Sequence, residues 1–396
     1  MPTYTYPFGN GAAAVPGYGD LWQIGFAGTW VANDTWTMAV TSDEGNFTIG
    51  TGNLNGLTPT VCMTFKQRIY LGLGSELAFS DNDDPTGYEE QNPGAGFIEF
   101  LSQFGSQDSI GGLSQLQGRL AILGSKSIQI WTVDADPSLF NLVQSLNNLG
   151  TEAPLSVQAI GDFDVIFLDH TGFRSLRSRE VTLNAVPEDI GIAIDSLVQT
   201  DLQTVAASTC CAIVEPTAKR YWAYLNGKIY ILTRYINSKI VAWSTYIPKD
   251  SGGTVFTPLK FVIFNNLVYI RASDGGLIVY GGTNGTTYDA TVAKLEIPWL
   301  DDGRPKQNKV GQGMDLGISG GWILTGGMTP ADGTLQPVYS SVAPQGTNAK
   351  DSTFDLQHIR FDQQGTHFKI HAETDPTWLQ AATLSQIIFH YNLAER

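Results

Sequence analysis

Short runs of apolar and aromatic residues, each closed by turn chemistry, dominate the chain. Ile69-Tyr70-Leu71, Leu120-Ala121-Ile122-Leu123, Val165-Ile166-Phe167-Leu168, Tyr221-Trp222-Ala223-Tyr224, Lys228-Ile229-Tyr230-Ile231 and Val268-Tyr269-Ile270 are rich in β-branched or aromatic side chains. Their flanks carry Gly72 and Gly74, Gly124, Asp169 with Gly172, Asn226-Gly227 and Asp274-Gly275-Gly276. Runs of this length between such flanks predict β-strands. Asn226-Gly227 between two apolar runs predicts a hairpin, because a two-residue type I′ turn needs positive φ at both positions.

The units recur. A polar turn, a short strand, a Gly or Asp turn and a second strand repeat along the middle of the chain. Tyr70, Leu120, Phe167, Trp222 and Tyr269 mark corresponding places, separated by 50, 47, 55 and 47 residues. A repeat of that period, each a small antiparallel sheet, predicts a β-propeller with the blade count open. A large sandwich with similar hairpins is the competing architecture.

One segment reads as an amphipathic helix. Ile190, Ile194, Leu197, Val198 and Val205 fall at helical spacing after Asp189, predicting a helix over residues 190–207. It would pack on the side of the propeller or on a neighbouring subunit.

The polar stretch Asp301-Asp302-Gly303-Arg304-Pro305 suggests a boundary. Beyond it, Gly321-Trp322-Ile323-Leu324, residues 354–361, His367-Phe368-Lys369-Ile370 and Ile387-Ile388-Phe389-His390-Tyr391 alternate like strands of a half-buried sheet. The expected class is therefore all-β: a β-propeller over residues 61–302 and a β-sandwich over 303–396. Residues 1–60, with Trp22, Trp30, Trp36, Phe47 and Ile49, form an N-terminal hairpin segment that could pair with the last domain.

Composition sharpens this picture. Charged residues make up only 15% of the 396, and Gly contributes 43, which suits many tight turns. The net charge is −15, and residues 1–100 hold 11 acidic side chains against Lys66 and Arg68. Such a chain does not grip DNA through its phosphates, which takes clustered Lys and Arg. It could border DNA that must slide past; plain solubility is the simpler explanation of the charge.

Cys62, Cys210 and Cys211 form an odd set without metal spacing, and are expected to be buried free thiols. Residues 1–10 lack a basic region and an apolar core, so no secretory signal is expected. The longest apolar stretch, residues 261–270, is cut by Asn265 and Asn266, so no membrane anchor is expected.

Candidate chemistry is sparse. Asp81-Asn82-Asp83-Asp84 invites a calcium site, but Pro85 occupies the third liganding place of the EF-hand pattern, and a solvated turn is expected. Asp134-Ala135-Asp136-Pro137 is treated alike. Residues 41–47 resemble a partial Asp-box of sialidases, yet occur once with a displaced aromatic. A glycosidase needs two flanking carboxylates, and the close arginines Arg174, Arg177 and Arg179 have no evident nucleophile. His170, His358, His367, His371 and His390 read as ordinary sheet histidines. His367 and His371 would share a strand face about 13 Å apart, too far for one metal. No nucleophile elbow, Walker loop, dinucleotide fingerprint or zincin motif occurs. No catalytic, cofactor-binding or metal residue is assigned.

A resemblance adds a role. Gln117-Gly118-Arg119-Leu120-Ala121, Ser127-Ile128-Gln129-Ile130-Trp131, Val133-Asp134-Ala135-Asp136-Pro137, Leu155-Ser156-Val157-Gln158, Gly161-Asp162, Gly172-Phe173-Arg174-Ser175-Leu176 and Asp189-Ile190-Gly191 come in order. Arg220-Tyr221-Trp222, Ile229-Tyr230-Ile231-Leu232 and residues 239–246 follow. Together they resemble the tail nozzle, or packaged-DNA stabilisation, proteins of short-tailed bacteriophages. The likeness covers residues 55–250 well and the remainder, including Gly365-Thr366-His367-Phe368, loosely. It rests on the ordered series, not on one motif.

The resemblance implies a virion tail protein, assembled in the host cytoplasm as a homo-oligomeric ring of six. The ring would sit below the portal and its head-to-tail adaptor, with double-stranded DNA passing unbound through its channel. It would dock tail fibres or spikes and a plug, and it has no catalytic residues to carry over. Many members are longer, so distal domains are expected to be missing here. The alternatives are a sialidase-like receptor- or glycan-binding tail propeller and a different virion adaptor.

Overall fold

The computed structural model of the chain describes residues 13–14, 23–24, 58–88, 94–100, 108–178, 185–235, 240–250, 252–282, 292–331, 333–340, 356–376, 378 and 382–394. The chain divides into two compact units, Met1–Thr48 and Ile49–Arg396. In the first, β1 (Ala13–Ala14) pairs antiparallel with β2 (Gln23–Ile24). The hairpins expected around Trp22, Trp30, Trp36, Phe47 and Ile49 lie outside the described residues.

The second unit opens with five consecutive antiparallel sheets. The first holds β3 (Val61–Phe65), β4 (Arg68–Leu73), β5 (Glu76–Phe79) and β6 (Gly96–Glu99). The second holds β7 (Ile110–Leu116), β8 (Arg119–Gly124), β9 (Ser127–Thr132) and β10 (Asn141–Asn147). The third holds β11 (Gln158–Ile160), β12 (Asp164–Asp169), β13 (Gly172–Ser178) and β14 (Ala185–Glu188). The fourth holds β15 (Cys211–Val214), β16 (Tyr221–Leu225), β17 (Lys228–Tyr235) and β18 (Ile240–Tyr246). The fifth has three described strands, β19 (Pro258–Phe264), β20 (Leu267–Ala272) and β21 (Leu277–Val279).

Strand order follows chain order in each of these five sheets. The first strand of each sheet lies against the first strand of the next, from β3 through β7, β11 and β15 to β19. First strands are therefore innermost, and residues 61–279 form a β-propeller of five described blades. Tyr70, Leu120, Phe167, Trp222 and Tyr269 all sit on the second strand of their blade.

Turn chemistry sets the blades. In the first, second and fifth, the hairpin between first and second strands is a two-residue turn with positive φ at both places: Lys66-Gln67, Gln117-Gly118 and Asn265-Asn266. That geometry matches the right-handed twist of the strands it joins. Asn226-Gly227 makes the same turn between β16 and β17.

One apolar cluster fills each gap between neighbouring blades. Tyr70, Leu77 and Phe79 meet Leu120, Ile122 and Trp131 in the first gap. Leu123, Ile128 and Ile130 meet Val165, Phe167 and Leu176 in the second. Phe173 meets Tyr221 and Tyr230 in the third, and Trp222 and Tyr224 meet Phe261 and Ile270 in the fourth. Inner blades are covered on both faces, which is why Val165–Leu168 is a continuous apolar run and not an alternating one. Each large side chain so buried contributes about 1.5–3 kcal/mol.

The helix α1 spans Asp195–Leu202, between the third and fourth blades. It is shorter than the expected 190–207. Gly191 sits where a Cβ would meet the Phe173 carbonyl oxygen at 2.6 Å, so the chain enters on a close backbone contact instead of a helical turn. Ile190, Ile194, Leu202 and Val205 still pack on the third-gap cluster.

The last part of the chain is a β-sandwich. One sheet orders β22 (Lys294–Leu300), β28 (Phe368–Thr374), β24 (Trp322–Gly327) and β25 (Gln336–Ser340). The other centres on β23 (Lys309–Ser319), which pairs with β29 (Thr383–Leu393) and with β26 (Leu356–Ile359) and β27 (Gln364–Gly365). Met314 and Leu316 from one sheet close on Leu324, Ile370 and Ala372 from the other. β22 precedes the polar boundary stretch yet belongs to this domain; Pro298 is accommodated where its register with β28 shifts.

Candidate functional site: a stapled propeller wall

The five innermost strands read VCMTF, IGGLSQL, QAI, CAIV and PLKFVIF. They contain no Asp or Glu, and Lys260 is their one charged residue. In β7, a Cβ on Gly111 would meet the Thr151 carbonyl oxygen at 1.9 Å. Glycine there lets the second blade approach the segment that leads into the third.

Polar groups staple the blades together. Lys66 Nζ donates to the Val133 carbonyl at 2.9 Å, and Arg68 Nη2 to the Ala135 carbonyl at 2.5 Å, tying the first blade to the second. The Gln144 amide and the Ala185 backbone exchange two hydrogen bonds of 2.8 Å, tying the second to the third. Arg234 pairs with the buried Asp164 at 2.5 Å, and Tyr221 Oη donates to the Ser156 carbonyl at 2.9 Å, tying the third to the fourth.

The helix is held at both ends. Arg174 reaches Asp189 at 2.6 Å and grips both carboxylate oxygens of Asp195, in the first helical turn, at 3.0 Å. At the other end, Asp201 accepts hydrogen bonds from Tyr230 Oη, from Asn226 Nδ2 at 2.9 Å, and from Lys228 at 3.1 Å. Burial works to raise the Asp201 carboxyl, but the bonds from Tyr230, Asn226 and Lys228 outweigh it and hold the group below the usual carboxylate range.

The other residues singled out from sequence make local contacts. Arg177 pairs with Glu188 on the surface, and Arg179 lies outside the described residues. Asp84 Oδ1 accepts from the backbone and hydroxyl of Thr86, Asp81 Oδ1 from the Asn82 backbone, and Asp136 Oδ1 from the Ser138 backbone. These carboxylates are occupied in turns. A shallow cleft beside Asp83, lined by Thr64, Gln67, Arg68, Ser80 and Pro85, presents that one carboxylate. His170 bonds Asp169, His371 faces Glu373, and His390 bonds Asp315; His367 Nδ1 lies 2.8 Å from the Thr366 hydroxyl. The backbone places His358 opposite Asp315 in β26. Residues 41–47 lie outside the described residues. Among the described residues, no group of three His, Cys, Asp or Glu could hold a metal, and no helix is long and apolar enough to cross a membrane.

All three cysteines are free, but Cys62 is exposed, which corrects the expectation of burial. Its strand is innermost, yet Cys62 stays exposed on the blade face that Tyr88 closes only in part. Cys210 and Cys211 point into different inter-blade clusters, as neighbours along an extended chain must. Burial pushes the Cys211 thiol up to about 12 and Cys210 well above its ordinary value. A disulfide reagent at pH 8 should therefore modify Cys62 alone in the folded protein and all three thiols after denaturation. Rapid native modification of three would contradict this packing.

Solved β-propellers are similar to this chain. BamB from Moraxella catarrhalis is 12% identical, with a TM-score of 0.34, over 55% of this chain and 56% of that one. The Swd1 β-propeller domain of Myceliophteria thermophila is 9% identical, with a TM-score of 0.34, over 56% of this chain and 64% of that one. No family model and no curated protein matches the chain. Neither structural likeness transfers an activity.

The staples themselves were not legible in the sequence. Arg174 meets Asp195 across 21 residues, Lys66 meets Val133 across 67 and Arg234 meets Asp164 across 70. Only the fold brings them together.

Proposed function

We propose that this chain is a non-enzymatic structural subunit of a bacteriophage tail, a nozzle or hub ring beneath the portal and adaptor that docks fibres, spikes or a plug. The observation that carries this reading is the ordered series of motifs over residues 117–246, which resembles the tail nozzle proteins and falls in order on the second, third and fourth blades. Blade-to-blade staples support a rigid body suited to repeated mechanical load. A glycan-cleaving propeller needs two carboxylates flanking the scissile bond. The innermost strands supply none and the cleft beside Asp83 supplies one.

Under this reading, DNA passes along the axis of the subunit ring and not through the propeller's own axis. The acidic side chains of the turn after β5, Asp81, Asp83 and Asp84, lie at the edge of the first blade. Close to passing phosphates they repel without holding.

Electron microscopy of virions labelled on this chain tests the placement; label away from the tail would end it. Lysine at Asp83 and Asp84 together is expected to slow genome ejection severalfold, more so at low salt, because each new cation can hold a phosphate. Unchanged ejection would move these groups off the channel.

A further inference from the structure

The two ends of the blade series expose faces that match each other. On the fifth blade, cross-strand partners share a face: Lys260 with Arg271 and Leu277, Val262 with Tyr269 and Val279, and Phe264 with Leu267. The opposite face carries Phe261, Val268 and Ile270, covered by the fourth blade, while Ile263 at its end stays 44% exposed. The first face is uncovered: Val262 is 51% exposed, Phe264 62% and Leu277 70%. Lys260 and Arg271 stand directly opposite one another, both exposed, without an ion pair among the described residues. This is an apolar sheet face with a basic edge, on a chain whose net charge is −15.

The first blade has the complement. Tyr70, Leu77, Phe79 and Ile98 cover its contact with the second blade. Its other face presents Leu71, Ala78 and Phe97 in one cross-strand row and Leu73, Glu76 and Glu99 in the next. Tyr88 closes part of this face, but Phe97 stays 41% exposed and Glu76 and Glu99 are exposed. It is an apolar strip with an acidic edge.

We propose that the fifth blade of one copy docks on the first blade of the next, head to tail. Phe264, Val262 and Leu277 lie against Phe97 and Leu71, and Lys260 and Arg271 face Glu76 and Glu99. Like charges opposite each other on a sheet are destabilising, and acidic partners across the interface relieve the Lys260–Arg271 repulsion. The apolar centre supplies affinity, and the charged edges set register and partner choice. A contact between different faces of identical chains is heterologous, so it propagates until a ring closes. The inference deepens the ring reading above by naming its interface, but it stands on these two faces and not on the tail role.

The test uses two full-length variants and sedimentation velocity. Val262→Asp with Phe264→Asp blocks the fifth-blade face, and Glu76→Lys with Phe97→Asp blocks the first-blade face; the three apolar residues replaced and Glu76 are exposed, so the fold is kept, which circular dichroism checks. The unaltered chain is expected to associate, and each variant alone to raise the dissociation constant by about a hundredfold or more. Mixed together, they are expected to form a one-to-one dimer and go no further, because only one intact pair of faces remains. A monomeric unaltered chain, or a mixture that stays monomeric, overturns the proposal; the latter is the result for closure of the fifth blade on the first within one chain. Failure here with tail label still present in virions would leave the tail reading standing, and the converse result would leave the interface standing.

Discussion

Phe173→Ala is expected to lower the stability of the propeller by about 3–5 kcal/mol, the range for emptying an aromatic site in a packed core. Phe173 is fully buried in the gap between the third and fourth blades. Its ring stacks on Trp243 with centroids 5.1 Å apart and meets Tyr221 edge-on at 5.9 Å and Tyr230 at 5.7 Å. Four aromatic rings from two blades thus share one site, and α1 packs over it through Val198. The neighbours cannot collapse into the hole, because Tyr221 and Tyr230 are pinned by hydrogen bonds to the Ser156 carbonyl and to Asp201. Against a total of about 5–15 kcal/mol for a typical domain, that loss is large. The measurement is the shift in denaturant midpoint, followed by tryptophan fluorescence. Tyr70→Phe is the control: its hydroxyl is buried without a hydrogen-bond partner, so its removal should be neutral or slightly stabilising. A Phe173→Ala midpoint no lower than that of Tyr70→Phe would show that the third gap does not hold the blades together.

Much of the propeller was legible because its signals are local. The turn at Asn226-Gly227 needs only its own backbone, and the marker residues from Tyr70 to Tyr269 recur because each blade is one short supersecondary unit. The sandwich alternation beyond residue 309 is also local. The helix was overdrawn because periodicity reports burial and not conformation. Ile190 and Ile194 are apolar for packing on Phe173, while Gly191 takes the chain into a backbone contact that a helix does not make. The charged stretch after β22 looks like a linker and by sequence assigns the strand to the propeller; its pairing with β28 spans 68 to 79 residues and leaves no local trace.

The wall reads less well for the same reason. Sequence alone could count 11 acidic groups in residues 1–100 but could not say which way they face. In the structure Asp81 and Asp84 accept backbone hydrogen bonds in turns, and the innermost strands hold none. The acidic surface of the first blade is therefore built from blade edges and turns. That places it on the outside of the propeller and not around its axis.

High pH should undo this fold cooperatively. Burial pushes Tyr70 up to about 12, against the pull of Arg68. Burial, with the nearby Cys62, pushes Tyr88 up to about 12. Burial raises Tyr221 well above its ordinary value, and burial together with the Asp201 carboxylate raises Tyr230 as well. In the unfolded chain each would ionise near pH 10. A group raised on folding contributes stability that is complete below its unfolded value and is lost as pH climbs through its folded value. The window therefore opens near pH 10 and reaches beyond 12. Tyr70, raised from about 10 to about 12, represents roughly 2–3 kcal/mol across that window, and the other three act in the same direction. Absorbance at 295 nm should rise in two stages: exposed tyrosines first, then a step coincident with loss of the β-sheet circular dichroism signal. Tyr221→Phe removes the bond to the Ser156 carbonyl along with the titrating group, so it should lower stability at neutral pH while flattening the alkaline limb. Smooth ionisation of all 15 tyrosines near pH 10 with the sheet signal intact would mean that these rings are not sealed between blades, and the stapled wall would lose its physical basis.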